Sequence, residues 1–402
     1  MTVSSTADWV AMTARYQMGN YARFPVAFVR GEGTRLYDAE GKSYLDFLGG
    51  IAVALIGHAH PGVARAVAEQ AGRLLHVSNL FHVPVQAEAG RLLSESVGGG
   101  KVFFCNSGTE ANEAAIKLAR KWSADRKGKD ARTLVVTEGS FHGRTYGSLS
   151  ATGQPKFHAG FEPMLPGFRT VPFGDLDALS AALRPDVCAF LVEPIQGESG
   201  VRVPPEGYLE GAARLCRERD ILLIADEIQT GMGRTGEVLC SARSGVVPDV
   251  VTLAKGLANG LPLGAVIARE EVAASFGPGT HGSTFGGNPV CCAAARVVLE
   301  TIGSPGFLGE VRRKGEILRE GLAGLAAART DVREVRGAGL MLALEMDRPA
   351  KEIAAACLAN GLVVNAAADT VLRFLPPLTV TEEEIGEGLR ILSGSLPKEG
   401  RR

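Results

Sequence analysis

Two short apolar runs in this chain end in groups able to do chemistry. Ile221 to Ala225 is followed by Asp226 and Glu227, and Val250 to Ala254 runs directly into Lys255. Each run is too short for a helix and apolar on both faces, the pattern of a buried parallel strand. An acid and an amine therefore stand at two strand exits, the edge of an open α/β sheet where ligands bind. A lysine there is poorly placed to solubilise the chain. Desolvation would depress its pKa and free the amine as a nucleophile for Schiff-base formation. A lysine snorkelling from a strand end is the plainer alternative.

Other constellations share this placement. In Asn106-Ser107-Gly108-Thr109-Glu110, Ser107 with Glu110 three residues on is a capping-box pattern, which would aim backbone N–H groups and the helix dipole at an anion such as a phosphate. Ser140-Phe141-His142-Gly143-Arg144 offers a stacking face, an imidazole and a fork for a carboxylate. Glu193-Pro194-Ile195-Gln196-Gly197-Glu198 brings two carboxylates to a strand exit, able to orient other groups or pair with cations. Gly282 to Pro289 sets Ser283 and Thr284 in a glycine-rich turn that could bind phosphate, including that of a neighbouring subunit. Each also fits a plain role as a cap, a solvated loop or a surface charge. Gly231 to Gly236 matches GxGxxG, but Asp226 to Thr230 intervene after the strand and no helix pattern follows, so it reads as a chance match. His58 and His60 lie in a Gly/Pro turn without a third ligand, and no metal is expected.

The elements that must position these groups read as follows. From Val102 onward strands alternate with helices, implying an α/β fold with a mostly parallel, doubly wound sheet. The expected strands are Val102–Cys105, Leu134–Thr137, Ala189–Val192 and Ala265–Ala268 besides the two named above, with helices over Glu113–Trp122 and Tyr208–Arg219. Before them, residues 1–58 resemble an arm, and helices are expected from Pro61 to about His76 and from Gln86 to Ser96. After residue 288 the alternation stops, implying a smaller α+β domain over 289–402, with 59–288 as the large domain. Its expected strands are Leu340–Glu345, Leu362–Asn365 and Val371–Phe374.

The chain has 402 residues and is 46% apolar, ample for a core. Lys plus Arg (43) balance Asp plus Glu (44), leaving no excess for nucleic acid or an anionic membrane. Seven scattered cysteines without CxxC spacing argue against a disulfide framework. No signal-peptide or transmembrane pattern is evident, and a cytoplasmic protein is expected.

An anion-binding helix start, a ring-stacking aromatic, an acid and a desolvated lysine together describe a pyridoxal phosphate pocket. There the lysine would join the aldehyde and the acid would pair with the pyridine nitrogen. The motifs SGTEANE (107–113), FHGR (141–144), EPIQGE (193–198), ADEIQTGMGRTG (225–236), TLAKGLANGLPLGA (252–265) and HGSTFGGNP (281–289) resemble class III aminotransferases, pyridoxal phosphate enzymes of fold type I. The resemblance spans nearly the whole chain. Within the class, GGIAV, SNLF and VLRFLPPL look most like acetylornithine aminotransferases.

That resemblance implies roles. Ser107, Gly108 and Thr109 would hold the phosphate, with Thr284 contributing across a homodimer interface. Phe141 and Ile228 would sandwich the ring, Asp226 would meet its nitrogen, Glu227 and Gln229 would border it, and Lys255 would be both Schiff-base residue and proton carrier. Arg144 would clamp the substrate α-carboxylate, with Tyr21 and Ser283 nearby. Glu198 would mask Arg373 while an ω-amine donor is bound and release it to a glutamate carboxylate. The implied reaction carries an ω-amino group from N-acetylornithine to 2-oxoglutarate in arginine biosynthesis. Succinyldiaminopimelate, ornithine, 4-aminobutyrate and carrier-bound lysine are rival donors in the same pocket. Ile51 stands where ornithine enzymes tend to carry tyrosine, and Ala54-Leu55-Ile56 replaces the Asn-Ala-Leu common in acetylornithine enzymes. From other classes, the rivals are a nucleotide-binding dehydrogenase, resting on the one GxGxxG, and a silent relative that only binds a ligand.

Overall fold

The computed structural model describes residues 5–127 and 131–397. At its centre lies a seven-stranded sheet: β1 (Lys101–Cys105), β2 (Thr133–Thr137), β3 (Phe168–Val171), β4 (Val187–Val192), β5 (Leu222–Asp226), β6 (Val250–Leu253) and β7 (Gly264–Ala268). Their order is β1-β7-β6-β5-β4-β2-β3. The pairs from β3 to β6 are parallel, whereas β7 is antiparallel to both β6 and β1. Two reversals restore the direction, so β1 leaves the sheet at the same edge as β2, β4, β5 and β6. Five of the six chemical segments read from the sequence follow those five strands, whereas Gly282 to Pro289 follows a short helix, Glu270–Ala273, and not a strand.

Every residue of β4, β5, β6 and β7 is buried, which explains their unbroken apolar runs. Helix α1 (Gly108–Lys127) covers one face of the sheet with Ala111, Ala114, Ala115, Leu118, Ala119 and Trp122, recurring at helical spacing. Tyr208–Glu218 covers the other through Tyr208, Leu209, Ala212 and Cys216.

A second sheet, all antiparallel, contains β8 (Val332–Ala338), β9 (Met341–Met346), β10 (Asn365–Ala368) and β11 (Val371–Phe374) in the order β8-β9-β11-β10. Arg336 faces Ala343, Ala343 faces Arg373, and Arg373 faces Asn365. Opposed residues share a face, so both arginines rise from the same side. The arm supplies strands Phe28–Glu32, Arg35–Asp38 and Ser43–Asp46, and Leu362–Val363 joins the last of them in parallel. Thus the expected strand over 362–365 is split between two sheets.

Other departures have simple causes. The helix expected to reach His76 ends at Ala71, with Gly72 as its cap. β3 and β8 escaped the reading because one is four residues long and the other is charged and half-exposed along most of its length. The arm opens with an unexpected helix, Thr6–Tyr16, capped by Ser5 and burying none of its residues. Helix Pro289–Ile302 packs on Pro61–Ala71 and Pro84–Ser96, so position 288 is followed by a packed helix and not by a free linker.

Candidate active site

The strand exits converge on a cavity of about 400 Å³ lined by segments 106–109, 141–144, 228–229, 254–255 and 260–263, together with Val53, Glu193, Glu198 and Asp226. Lys255 and Asp226 are both in its wall. Lys255 opens a short 3₁₀ turn, and its φ of 44° is left-handed, a conformation that bulky side chains rarely adopt outside functional positions. Burial pushes its amine below the ordinary lysine value, with Arg373 adding to the effect and Glu198, Asp226 and Glu193 opposing it.

Asp226 is held on several sides. Its Oδ2 accepts from Asn112 Nδ2 at 2.7 Å and meets His142 Nδ1 at 2.7 Å, and its Oδ1 accepts from Ile228 N at 3.1 Å. Thr252 Oγ1 donates to Asn112 Oδ1 at 2.9 Å, and Asn112 Nδ2 also donates to the His142 carbonyl at 2.7 Å. The His142 carbonyl and the Asp226 carboxylate can only accept, so they fix which end of the amide faces the acid, and the threonine hydroxyl donates to the other end. All four side chains are buried. Asn112 was missed by the motif reading, but it carries a signal: it is a polar residue, poor at helix formation, between Ala111 and Ala114 on the apolar stripe of α1.

At the opposite wall, α1 begins with Gly108. A Cβ there would lie 2.8 Å from Ile228 Cγ2, so glycine lets the helix start close against the ring-sized gap. Ser107 Oγ accepts from Glu110 N at 3.3 Å as expected, but Glu110 returns its carboxylate to Asn106 N at 2.7 Å and not to Ser107. Thr109 Oγ1 accepts from Arg144 N at 3.1 Å and Thr145 N at 3.2 Å. It must donate to Thr145 Oγ1, whose own proton goes to Glu113. With its hydroxyl committed, Thr109 offers an anion its backbone N–H. The fit to pyridoxal phosphate is good: a helix N-terminus for the phosphate, Phe141 and Ile228 as apolar walls, Asp226 and Lys255 in the same wall lining.

Glu193 is a further group at the site. Its Oε2 accepts from Phe141 N at 3.0 Å and its Oε1 from Gly197 N at 3.3 Å, joining the 141–144 loop to the 197–198 loop. Burial, reinforced by Asp226, holds its carboxyl well above the usual range.

Glu198, in the cavity lining, forms an ion pair with Arg373, which is buried outside that lining. Arg373 Nη1 donates to Glu198 Oε1 at 2.7 Å, to the Gly197 carbonyl at 3.1 Å and to Gln229 Oε1 at 3.0 Å. Gln229 Nε2 in turn donates to Glu198 Oε1 at 3.0 Å. Burial would raise the Glu198 carboxyl, but Arg373 and Lys255 prevail and hold it down at about 2. Arg373 is fully buried, yet its Nη2 has no partner among the described residues. Arg144 is exposed at the mouth, with its guanidinium 4.1 Å from the Phe157 ring centre.

Several expected residues lie elsewhere. Glu227 points away from the cavity, its carboxylate accepting from Thr230 Oγ1, Cys240 N and Ser241 N, so it caps a buried turn and does not border the ring. Tyr21 is 67% exposed and lines a groove of the arm with Trp9 and Phe24. Ser283 Oγ accepts from Asn106 Nδ2 at 3.2 Å but is outside the lining, and Thr284 is exposed. His58 pairs with Asp46 at 2.7 Å, and His60 caps the helix from Pro61. In the GxGxxG segment, Arg234 is buried and donates to the carbonyls of Leu340 and Pro376, a link to the second sheet and not a nucleotide site. Ile51 lies in a run of four left-handed residues, Gly49 to Ala52, and packs beside the cluster containing Ile195 and Val201.

The class III aminotransferase family model matches residues 16–396. The chain is 49% identical to an acetylornithine aminotransferase of Caldanaerobacter subterraneus, covering 95% of this chain and 97% of that one. It is 50% identical to one of Aquifex aeolicus, covering 94% and 98%. Among solved structures, an ornithine aminotransferase of Toxoplasma gondii superposes with a TM-score of 0.95 at 37% identity, covering 98% of this chain and 95% of the other. An acetylornithine aminotransferase of Elizabethkingia anophelis gives 0.88 at 34%, covering 97% and 98%. With its strand exits, its lysine and its acid arranged as described, the chain belongs to the class III aminotransferases.

Proposed function

We infer that this protein transfers the terminal amino group of N-acetyl-L-ornithine to 2-oxoglutarate, yielding N-acetyl-L-glutamate 5-semialdehyde and L-glutamate, with pyridoxal phosphate as the amino carrier, as a step of arginine biosynthesis. The observation that carries this reading is the meeting of Lys255, Asp226 and Glu198 in the lining of one cavity, with Glu198 paired to the buried Arg373. The near-full-length relatives named for that activity support it.

When bound, pyridoxal phosphate supplies an electron sink for the carbon that gives up its proton. The chain does the rest. Backbone N–H groups at Ser107, Gly108 and Thr109 bind the phosphate, and Phe141 and Ile228 hold the ring flat and dry. Asp226, locked by Asn112 and His142, faces the ring nitrogen. Lys255 Nζ, kept available as the neutral amine by desolvation, takes and returns the proton. Arg144 binds the α-carboxylate of the donor and the side-chain carboxylate of the acceptor, the two that lie remote from the reacting carbon.

Glu198 sets the order of substrates. A solitary buried guanidinium is costly, so Glu198 pairs with Arg373 while the uncharged acetamido end of the donor occupies the far side. Glutamate or 2-oxoglutarate brings a second carboxylate, which takes the unpartnered Nη2 and displaces Glu198. Gln229 bridges the pair and steadies both states.

The same reading includes a homodimer. Leu80, Phe81 and Phe285 are exposed beside the cavity's outer segments, and Trp9, Met12 and Tyr16 are exposed on the arm; such apolar surface suits an interface. Thr284 of one subunit then reaches the phosphate of the other. Mixed dimers of Thr284→Ala and Lys255→Ala subunits test this, since one of their two sites would be restored in full. We also propose that 59–288 and 289–402 with the arm act as large and small units, and that the protein is cytoplasmic. No single helix among the described residues is long and apolar enough to cross a membrane.

The deciding experiment is a half-reaction screen that follows the cofactor spectrum with N-acetylornithine, ornithine, succinyldiaminopimelate and 4-aminobutyrate. N-acetylornithine is expected to give the highest kcat/KM. A higher value for any of the others overturns the donor assignment.

A further inference from the structure

The segment carrying Glu198 comes from the large unit, yet it is fastened to the second sheet. Gln196 and Arg202 exchange backbone hydrogen bonds at 3.0 Å each, closing residues 197–201 into a tight loop. Within it, Val201 is fully buried in the apolar cluster that contains Ala343, Met341 and Val371. Gly200 has a φ of 91°, and a Cβ there would lie 3.0 Å from Val371 Cγ2, so the loop sits directly on the strand.

Two arginines hold this loop at its two ends. Arg373 reaches Gly197 and Glu198. Arg336 Nε donates to the carbonyls of Gly200 at 3.0 Å and Val201 at 3.1 Å, and its Nη2 donates to Gly200 at 2.7 Å. Its remaining nitrogen pairs with Glu334 at 2.8 Å and with Glu345. The register explains the fit. Arg336, Ala343 and Arg373 form one row across β8, β9 and β11, and neighbouring strands are about 4.8 Å apart, which roots the arginines roughly 10 Å apart. The small side chain of Ala343 between them leaves room for the loop.

The two arginines differ in what they hold. Arg373 holds a carboxylate that a substrate can replace. Of the loop, Arg336 holds only backbone carbonyls, which no substrate competes for, and its fork is shaped for such paired acceptors in a way lysine's ammonium is not. We propose that Arg336 is a positioning residue for donor selection: it keeps the 197–201 loop on the small unit, so that Glu198 leaves and regains Arg373 by moving its side chain alone. This rests on the switch reading of Glu198 and Arg373 given above.

The test uses the holoenzyme and the ratio of kcat/KM for N-acetylornithine to that for glutamate, each measured as a half-reaction. Glu198→Ala, Arg336→Lys, Glu345→Gln and the double variant Glu198→Ala/Arg336→Lys form one series. Arg336→Lys is expected to lower the ratio about fivefold, in the same direction as Glu198→Ala, with no further fall in the double variant. Glu345→Gln, which removes the partner that steadies Arg336, is expected to lower it less and covers the case of a poorly folding lysine variant. Amide hydrogen exchange over 197–202 should accelerate in Arg336→Lys without change over 141–144.

If Glu198→Ala shifts the ratio while Arg336→Lys and Glu345→Gln leave it unchanged, the proposal is wrong and the switch survives. Equal losses with both substrates, or unaltered exchange over 197–202, likewise overturn it by reducing Arg336 to a structural prop or less. If Glu198→Ala itself leaves the ratio unchanged, the switch fails and the proposal falls with it.

Discussion

The two ends of the cavity are built on opposite principles. Around Asp226 the carboxylate is held from several directions by buried groups, Asn112, His142 and the backbone N–H of Ile228. Around Arg373 the pair is left incomplete, with one guanidinium nitrogen unpartnered and the anion supplied by a loop residue that is partly exposed. A network that grips one carboxylate from several sides resists change, which suits a group that in the proposed reaction faces the same cofactor throughout a cycle. An unsaturated one admits a competitor, which suits a group that must meet two different substrates. Under the proposed function, the contrast separates the part of the site that sets the chemistry from the part that chooses the donor.

The comparison can be broken at several points. The largest effect is expected for Lys255→Ala, which removes the proton carrier: single-turnover rates should fall on the order of 10⁴-fold with both substrates. Arg144→Ala follows, with kcat/KM falling about 100-fold in both half-reactions as a charge-assisted clamp is lost. A loss confined to one substrate would move Arg144 out of the common machinery. Asn112→Ala strips one donor from the buried acid and should weaken cofactor binding about tenfold, an effect read by equilibrium titration and shared by all substrates. Glu198→Ala, by contrast, should leave cofactor affinity alone and lower the donor-to-glutamate ratio about tenfold.

A smaller effect concerns pH. Glu198 is an anion that raises the Lys255 amine against the lowering caused by burial. Glu198→Gln removes that anion, so the ammonium form is favoured less and the amine titrates at lower pH. Labelling of the apoenzyme by a small amine-selective reagent should therefore reach half its maximal rate at Lys255 at a lower pH in the variant. A midpoint that moves upward would show that the two groups do not share an environment.

Much of this was legible in the residues, for physical reasons. β4 to β7 are buried on both faces, so their apolar runs stood out, and the acid and lysine that end two of those runs marked the crevice. β11 was delimited correctly because its four residues are all buried between breaks. What was hidden depended on pairing across distance. Nothing local to Asn112 announces Thr252 or Asp226 as its partners, and nothing local to Arg336 announces the Gly200 carbonyl. Glu227, adjacent to Asp226, was read as part of the pocket, but successive residues leaving a strand face opposite ways, and this one turned inward to cap Cys240 and Ser241. Tyr21 and Thr284 do not line the cavity within one chain.

Reduction of the holoenzyme with borohydride, followed by peptide mapping, tests the central claim most directly. The account predicts one cofactor-modified residue, Lys255, and no stable adduct in Lys255→Ala. A reduced adduct on any other lysine of the wild-type protein would contradict it.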